Sequence, residues 1–296
     1  MGLEVRGISK RYGDTIALDD LSLEVAPGQI FGFVGPNGAG KTTAMRIIVG
    51  LLDADSGEVR WAGGPIDSRH RRQIGYMPEE RGLYPKMRVD QQLEYFAELH
   101  GLDAPLARRR TAEWLDRLGI GDRAEDNVEE LSLGNQQRVQ LAASLVFEPD
   151  ILVLDEPFSG LDPIGVDVLS AVLKEVCEER DVPVIFSSHQ LELVERLCDA
   201  VAIVKAGRLV ASGPVEQLER DHSKNLWTAR VGGQPDEWDP LVAGAVRTAP
   251  WSFELQPTTD PQALLVAAQA AGPVLEFGEL RPGLAELFRT SIGEES

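Results

Sequence analysis

The stretch Gly35-Pro36-Asn37-Gly38-Ala39-Gly40-Lys41-Thr42-Thr43 restricts this chain more than any other feature. It matches the pattern G-x-x-x-x-G-K-[ST]. Its glycines let the backbone curl so that several N–H groups converge on a triphosphate, with Lys41 reaching the β- and γ-phosphates and the Thr42 hydroxyl holding Mg²⁺. The loop works only between a strand and a helix, because the helix N-terminus adds its dipole to the phosphate site. The flanks supply both. Gln29-Ile-Phe-Gly-Phe-Val34 reads as a buried strand, and Thr43-Ala-Met-Arg-Ile-Ile-Val49 reads as the start of a helix. The chain must therefore build an α/β sheet around this turn.

The remaining pattern divides the chain. Leu3 to Val25 alternates short strand-like runs with turns and predicts an antiparallel layer, which residues 57–77 continue. From Val89 to Val146 the period is helical, with Leu93, Phe96 and Ala97 on one face and Thr111, Trp114, Leu115 and Leu118 on another. Beyond Asp150 strands alternate with helices: Ile151–Leu154, Val184–Ser187 and Ala200–Lys205 against Val166–Glu179 and Leu191–Leu197. That alternation predicts a mostly parallel sheet. Near His222 the texture changes to a proline-rich stretch. Its strand candidates are Trp227–Val231, Ser252–Leu255 and Val274–Leu280, and its helix candidates are Pro261–Ala271 and Pro282–Thr290. The expected division is 1–221 and a small α+β domain at 222–296.

The second motif is Ile151-Leu-Val-Leu-Asp155-Glu156-Pro157. A buried strand adjacent to the phosphate loop and ending in two carboxylates places Asp155 at the Mg²⁺ and Glu156 where it can polarise a water aimed at the γ-phosphate. The third is Leu131-Ser132-Leu133-Gly134-Asn135-Gln136-Gln137-Arg138, just before a helical run. Ser132 suits the cap of that helix, whose N-terminus suits an anion.

These motifs, in this order, resemble the nucleotide-binding subunits of ABC transporters. The family's signature is Leu-Ser-Gly-Gly-Gln; here Leu133 and Asn135 replace its third and fifth residues, while Ser132 and Gly134 are kept. The resemblance implies further assignments. Tyr12 matches the aromatic that stacks on adenine. Ser159-Gly-Leu-Asp162 matches the loop through which two subunits communicate, and His189, in Phe186-Ser-Ser-His189, matches the switch histidine near the γ-phosphate. Glu79, ending Ile74-Gly-Tyr-Met-Pro-Glu79, stands where most relatives carry a glutamine that contacts Mg²⁺ and the attacking water. Glutamate there, with Glu80–Met87 and Leu280–Phe288, is similar to a subgroup of ABC-2-type exporters that includes sodium-efflux and drug-export members.

The implied fold is a P-loop NTPase cassette: a mixed core sheet with an antiparallel β-layer and a helical subdomain at about 88–147, followed by the small C-terminal domain. The implied activity is ATP hydrolysis with Mg²⁺. One chain carries one phosphate loop and one signature, so in the family's manner it needs a second ATP-binding subunit, with Ser132 and Gly134 of one contacting ATP held by the other. It also needs a membrane-spanning permease subunit, which places it in the cytoplasm on the inner face of the membrane.

Composition narrows the partners. Among 296 residues, Asp and Glu number 48 against 29 Lys and Arg, a formal charge of −19. A nucleic-acid partner wants the opposite sign. No run approaches the ~18 apolar residues of a membrane span. The two cysteines, Cys177 and Cys198, show no metal-ligand spacing and read as reduced thiols. A soluble ABC ATPase acting on ribosomes or DNA is the alternative, but it wants two cassettes or long coiled coils and a basic surface. A P-loop kinase or GTPase would need neither the Ser132–Gly134 signature nor His189.

Overall fold

The computed structural model describes residues 2–80, 82–222, 225–233, 238–280 and 283–284. In chain order the elements are β1 Leu3–Tyr12, β2 Thr15–Val25, β3 Ile30–Val34, α1 Lys41–Val49, β4 Ser56–Trp61, β5 Gly64–Pro65, α2 Ser68–Arg71 and β6 Ile74–Met77. There follow α3 Val89–Leu99, α4 Ala104–Arg117, α5 Leu133–Leu145, β7 Ile151–Leu154, α6 Pro163–Arg180, β8 Val184–Ser188, α7 Leu191–Leu197, β9 Ala200–Lys205, β10 Arg208–Pro214 and α8 Val215–His222. The C-terminal part adds β11 Leu226–Val231, β12 Ala245–Ala249, β13 Ser252–Leu255, α9 Pro261–Ala271 and β14 Val274–Leu280. The chain forms two compact units, 1–215 and 216–296.

The first unit holds two sheets. The antiparallel one has the order β2-β1-β4-β5. The core sheet has the order β10-β9-β3-β8-β7-β6, with β9, β3, β8, β7 and β6 parallel and β10 antiparallel at the edge. The four central strands are apolar and buried along most of their length, as parallel strands covered on both faces must be. Helix α1 lies in the apolar cluster that joins the sheets: its Ala44, Met45, Ile47 and Ile48 pack with Leu3, Val5 and Leu23 and with Phe31, Phe33, Val153 and Ile185. On the opposite face of β3, Gly32 gives close approach to Val194 of α7 and to Cys198, where a Cβ would lie 2.8 and 2.9 Å from their side chains.

Two expectations change. Residues 57–77 do not all belong to the antiparallel layer. Ser56–Trp61 does, pairing with β1, but Ile74–Met77 joins the core sheet in parallel with β7. Its four residues carry no periodicity long enough to say which sheet they enter. The strand ending in Asp155 is also not adjacent to β3. Strand β8 lies between them, so Asp155 and the phosphate loop are two strand spacings apart, ~10 Å across the sheet.

The second unit has a four-stranded antiparallel sheet, β12-β13-β11-β14, with α9 against it. Its own core gathers Ala229, Val231, Phe253, Leu255, Leu264 and Ala268, with Trp227, Trp238 and Trp251 around them. Helix α9 opens as its sequence implies: Asp260 accepts a hydrogen bond from Gln262 N, and Pro261 occupies the first turn, where its missing N–H costs nothing. The helix candidate Pro282–Thr290 lies outside the described residues, apart from 283–284.

Candidate nucleotide site

All strands of the parallel core run the same way, so their C-terminal ends share one rim. On that rim the loop after β3, the end of β7 and the end of β8 meet. The turn into α1 has an unusual start. Gly40 takes a left-handed φ of 102°, and no side chain caps the helix. A Cβ at Gly40 would lie 2.4 Å from the Ala17 carbonyl oxygen, so no other residue fits. The first-turn N–H groups of α1 are left free of side-chain acceptors, which makes the helix start an anion site.

A cavity of about 350 Å³ opens over this turn. It is lined by Asn37, Gly38, Ala39, Gly40, Lys41, Thr42 and Thr43 from the loop, by Tyr12, Thr15, Ile16 and Ala17 from the antiparallel layer, and by Glu79, Asp155 and Glu156. The exposed Tyr12 and Ile16 offer an apolar flank beside the polar loop. Gly35 lies beneath, where a Cβ would meet the Val204 carbonyl oxygen at 2.4 Å.

Lys41 is buried and folded back onto its own loop, donating to the Gly35 carbonyl at 2.8 Å and lying 3.9 Å from Glu156 Oε1. Glu156 Oε2 is 3.0 Å from Nδ1 of His189, which is otherwise exposed. Glu156 itself has φ 51°, a left-handed conformation that costs a non-glycine residue ~1–2 kcal/mol. Asp155 is 1% exposed. Its Oδ1 accepts from Ser187 Oγ at 2.7 Å, while its Oδ2 has no hydrogen-bond partner. A buried carboxylate oxygen without a partner is costly unless a cation completes it. Asp155, Thr42 and Glu79, which all line this cavity, carry side-chain oxygens, the hard donors Mg²⁺ takes. One strand further, the Tyr76 phenol is pushed up, first by burial and then by the Asp155 carboxylate, which keeps it neutral.

The signature residues are elsewhere. Ser132 caps α5, accepting from Asn135 N at 3.3 Å, and its neighbour Leu133 is 57% exposed. Gly134 faces Leu161, and Asp162 caps α6 by accepting from Gly165 N at 2.7 Å. None of Ser132, Gly134, Asn135 or Asp162 lines the cavity. Helix α5 is nonetheless tied to the site, because Gln137 Nε2 donates to the Pro157 carbonyl at 2.9 Å. Sequence reasoning passed over Gln137, and also Ser187. For the second the available signal is a pair of serines closing a buried apolar strand.

A family model described as ABC transporter matches residues 18–159. The ABC transporter ATP-binding protein YhaQ of Bacillus subtilis (strain 168), itself uncharacterized, is 42% identical over 302 residues, covering 98% of both chains. The chain belongs to the ABC transporter ATP-binding family. Within that family the Nod factor export ATP-binding protein I of Burkholderia orbicola (strain AU 1054) is 37% identical over 219 residues, 73% of this chain and 72% of that one. A solved structure described as the ATP-binding subunit of an ABC transporter superposes with a TM-score of 0.69 at 30% identity, covering 75% of this chain and 93% of that chain. The cassette fold implied by the motifs is the fold observed, and the chain is a nucleotide-binding P-loop protein of the transport ATPase class.

Proposed function

We propose that this chain binds Mg²⁺–ATP in the cavity over Gly35–Thr43 and hydrolyses it to drive an exporter through a separate membrane-spanning permease subunit. The observation that carries the reading is the one cavity that Lys41, Thr42, Glu79, Asp155 and Glu156 all line, with one oxygen of Asp155 unpaired. Export as the direction is supported by the likeness to the Nod factor export protein. Among the described residues no helix is long and apolar enough to cross a membrane, so in this reading the pathway belongs to the partner.

Each residue has a chemical task. Tyr12 stacks on the base. The loop N–H groups and Lys41 hold the β- and γ-phosphates, Lys41 leaving its resting contacts with Gly35 and Glu156 to do so. Thr42, Asp155 and Glu79 would hold Mg²⁺, which when bound supplies positive charge to the phosphate oxygens. Glu156 takes the proton of the attacking water, and His189, already on its other oxygen, orients it. Ser132, Gly134 and Asn135 sit at an exposed helix start, outside the cavity of their own chain, and Asp162 lies outside it too. They complete the site of a second subunit in a head-to-tail pair. The pair closes because each nucleotide then touches both subunits, a differential affinity that shifts the population toward the closed state. Residues 222–296 form the accessory part of this assembly, on the inner face of the membrane.

Purification from native membranes, with identification of the bound subunit, tests this reading. It is supported if a polytopic permease co-purifies and the complex hydrolyses ATP, and it fails if the chain is recovered with ribosomes or without any membrane partner.

A further inference from the structure

We infer that Ser187 is a positioning residue that fixes both carboxylates of the site, committing one oxygen of Asp155 so that the other is held for the metal and clamping the Glu156 backbone. The inference rests on the proposed Mg²⁺–ATP site. Ser187 is completely buried on β8, the strand between the phosphate-loop strand and the Asp155 strand. Its hydroxyl makes two short bonds: Oγ donates to Asp155 Oδ1 at 2.7 Å and accepts from Glu156 N at 2.7 Å. A hydroxyl has one proton, so these two bonds fix its direction.

Two consequences follow. Asp155 cannot rotate without losing a buried, charge-assisted bond, so Oδ2 stays the buried oxygen without a protein partner, on a residue that lines the cavity. Glu156 is held in its left-handed conformation by the bond from its N–H, and that turn brings its carboxylate to His189 at 3.0 Å and to Lys41 at 3.9 Å. An alanine at 187 would remove both restraints together, freeing Asp155 to turn and leaving the Glu156 N–H unpaired. Groups that orient a metal ligand in this way are commonly worth ~10–100-fold in metal affinity or activity.

The test compares wild type, Ser187→Ala and Ser187→Thr. Binding of a fluorescent ATP analogue is titrated with and without Mg²⁺, beside turnover and thermal unfolding. Ser187→Ala should bind the analogue without Mg²⁺ as wild type does, need ~10–100-fold more Mg²⁺ for half-saturation, and lose turnover by a similar factor. Ser187→Thr keeps the oxygen on a side chain suited to a strand and should restore both. The inference is overturned if Ser187→Ala shows the wild-type Mg²⁺ requirement. It is equally overturned if Ser187→Ala loses stability and Mg²⁺-free binding together and Thr rescues neither, since that is general misfolding. A wild type that binds no nucleotide at all removes the site reading and this inference with it.

Discussion

Replacing Glu156 by Gln tests the mechanism at its centre. The amide keeps the shape and still accepts a hydrogen bond from His189, but it cannot take a proton from water. A positioned general base contributes ~10²–10⁴-fold, or about 3–5 kcal/mol of barrier at ~1.4 kcal/mol per factor of ten. Turnover should fall by that range. Nucleotide affinity should move the other way. In the resting site the carboxylate lies 3.9 Å from Lys41, and both side chains are largely buried, at 7% and 12% exposure. Two unit charges at that distance attract by about 4 kcal/mol at an effective dielectric near 20, before desolvation is counted. The substitution removes that competing attraction and one negative charge facing the γ-phosphate. The variant should therefore bind Mg²⁺–ATP at least as tightly as wild type and accumulate as an ATP-bound dimer. Phosphate release gives the rate, equilibrium titration the affinity, and light scattering on a sizing column the dimer. A variant that turns over at the wild-type rate in saturating Mg²⁺–ATP refutes the role given to Glu156.

Gly40→Ala should abolish nucleotide binding and lower the melting temperature, because its Cβ would lie 2.4 Å from the Ala17 carbonyl and the φ of 102° strains any side chain by ~1–3 kcal/mol; binding by Gly40→Ala at wild-type affinity would contradict this. Phe253→Ala empties the centre of the C-terminal core and should cost ~3–5 kcal/mol there, seen as loss of hydrogen-exchange protection in β11–β14. Burial, helped by Asp199, pushes the Cys177 thiol up to about 11 and Cys198 well above its usual range. Each thiol stays protonated in the fold at a pH where the unfolded chain has already ionised it. Stability from this source is whole below the ordinary thiol pKa and is lost as pH rises toward the folded value, so denaturation midpoints should drop between about pH 9 and 11, less so in Cys177→Ser.

What could be read from the sequence follows the range of the forces involved. Gly35–Thr43 was legible because the turn, the orphan N–H groups and the lysine are all local, and the strand and helix around it are short-range patterns. Ile151–Leu154, Leu191–Leu197, Ala200–Lys205, Ser252–Leu255, Pro261–Ala271 and Val274–Leu280 have the bounds their apolar runs and flanking breakers imply. Strands β10 and β12 escaped notice because each is half-exposed and lies between glycines or prolines, so neither shows a buried run. Sheet membership was harder still. Nothing in Ile74-Gly-Tyr-Met77 states that it pairs with β7 rather than extending the β4 layer. The insertion of β8 between β3 and β7 is likewise a long-range choice, and it is what places Ser187 beside Asp155.

The charge pattern of the cavity bears on the ligand proposed for it. Three carboxylates, Glu79, Asp155 and Glu156, share its wall with a single ammonium, Lys41. A free triphosphate brings about four further negative charges, so side chains alone would repel it. Backbone N–H groups and the start of α1 offset part of this, because they present positive potential without a counter-charge to desolvate. In the proposed Mg²⁺–ATP site the remainder would come from the cation, with Asp155 among the residues that would hold it. On that reading the acidic lining favours the metal complex over the bare nucleotide. On the same reading Lys41, 3.9 Å from Glu156 Oε1, exchanges that carboxylate for phosphate when nucleotide binds.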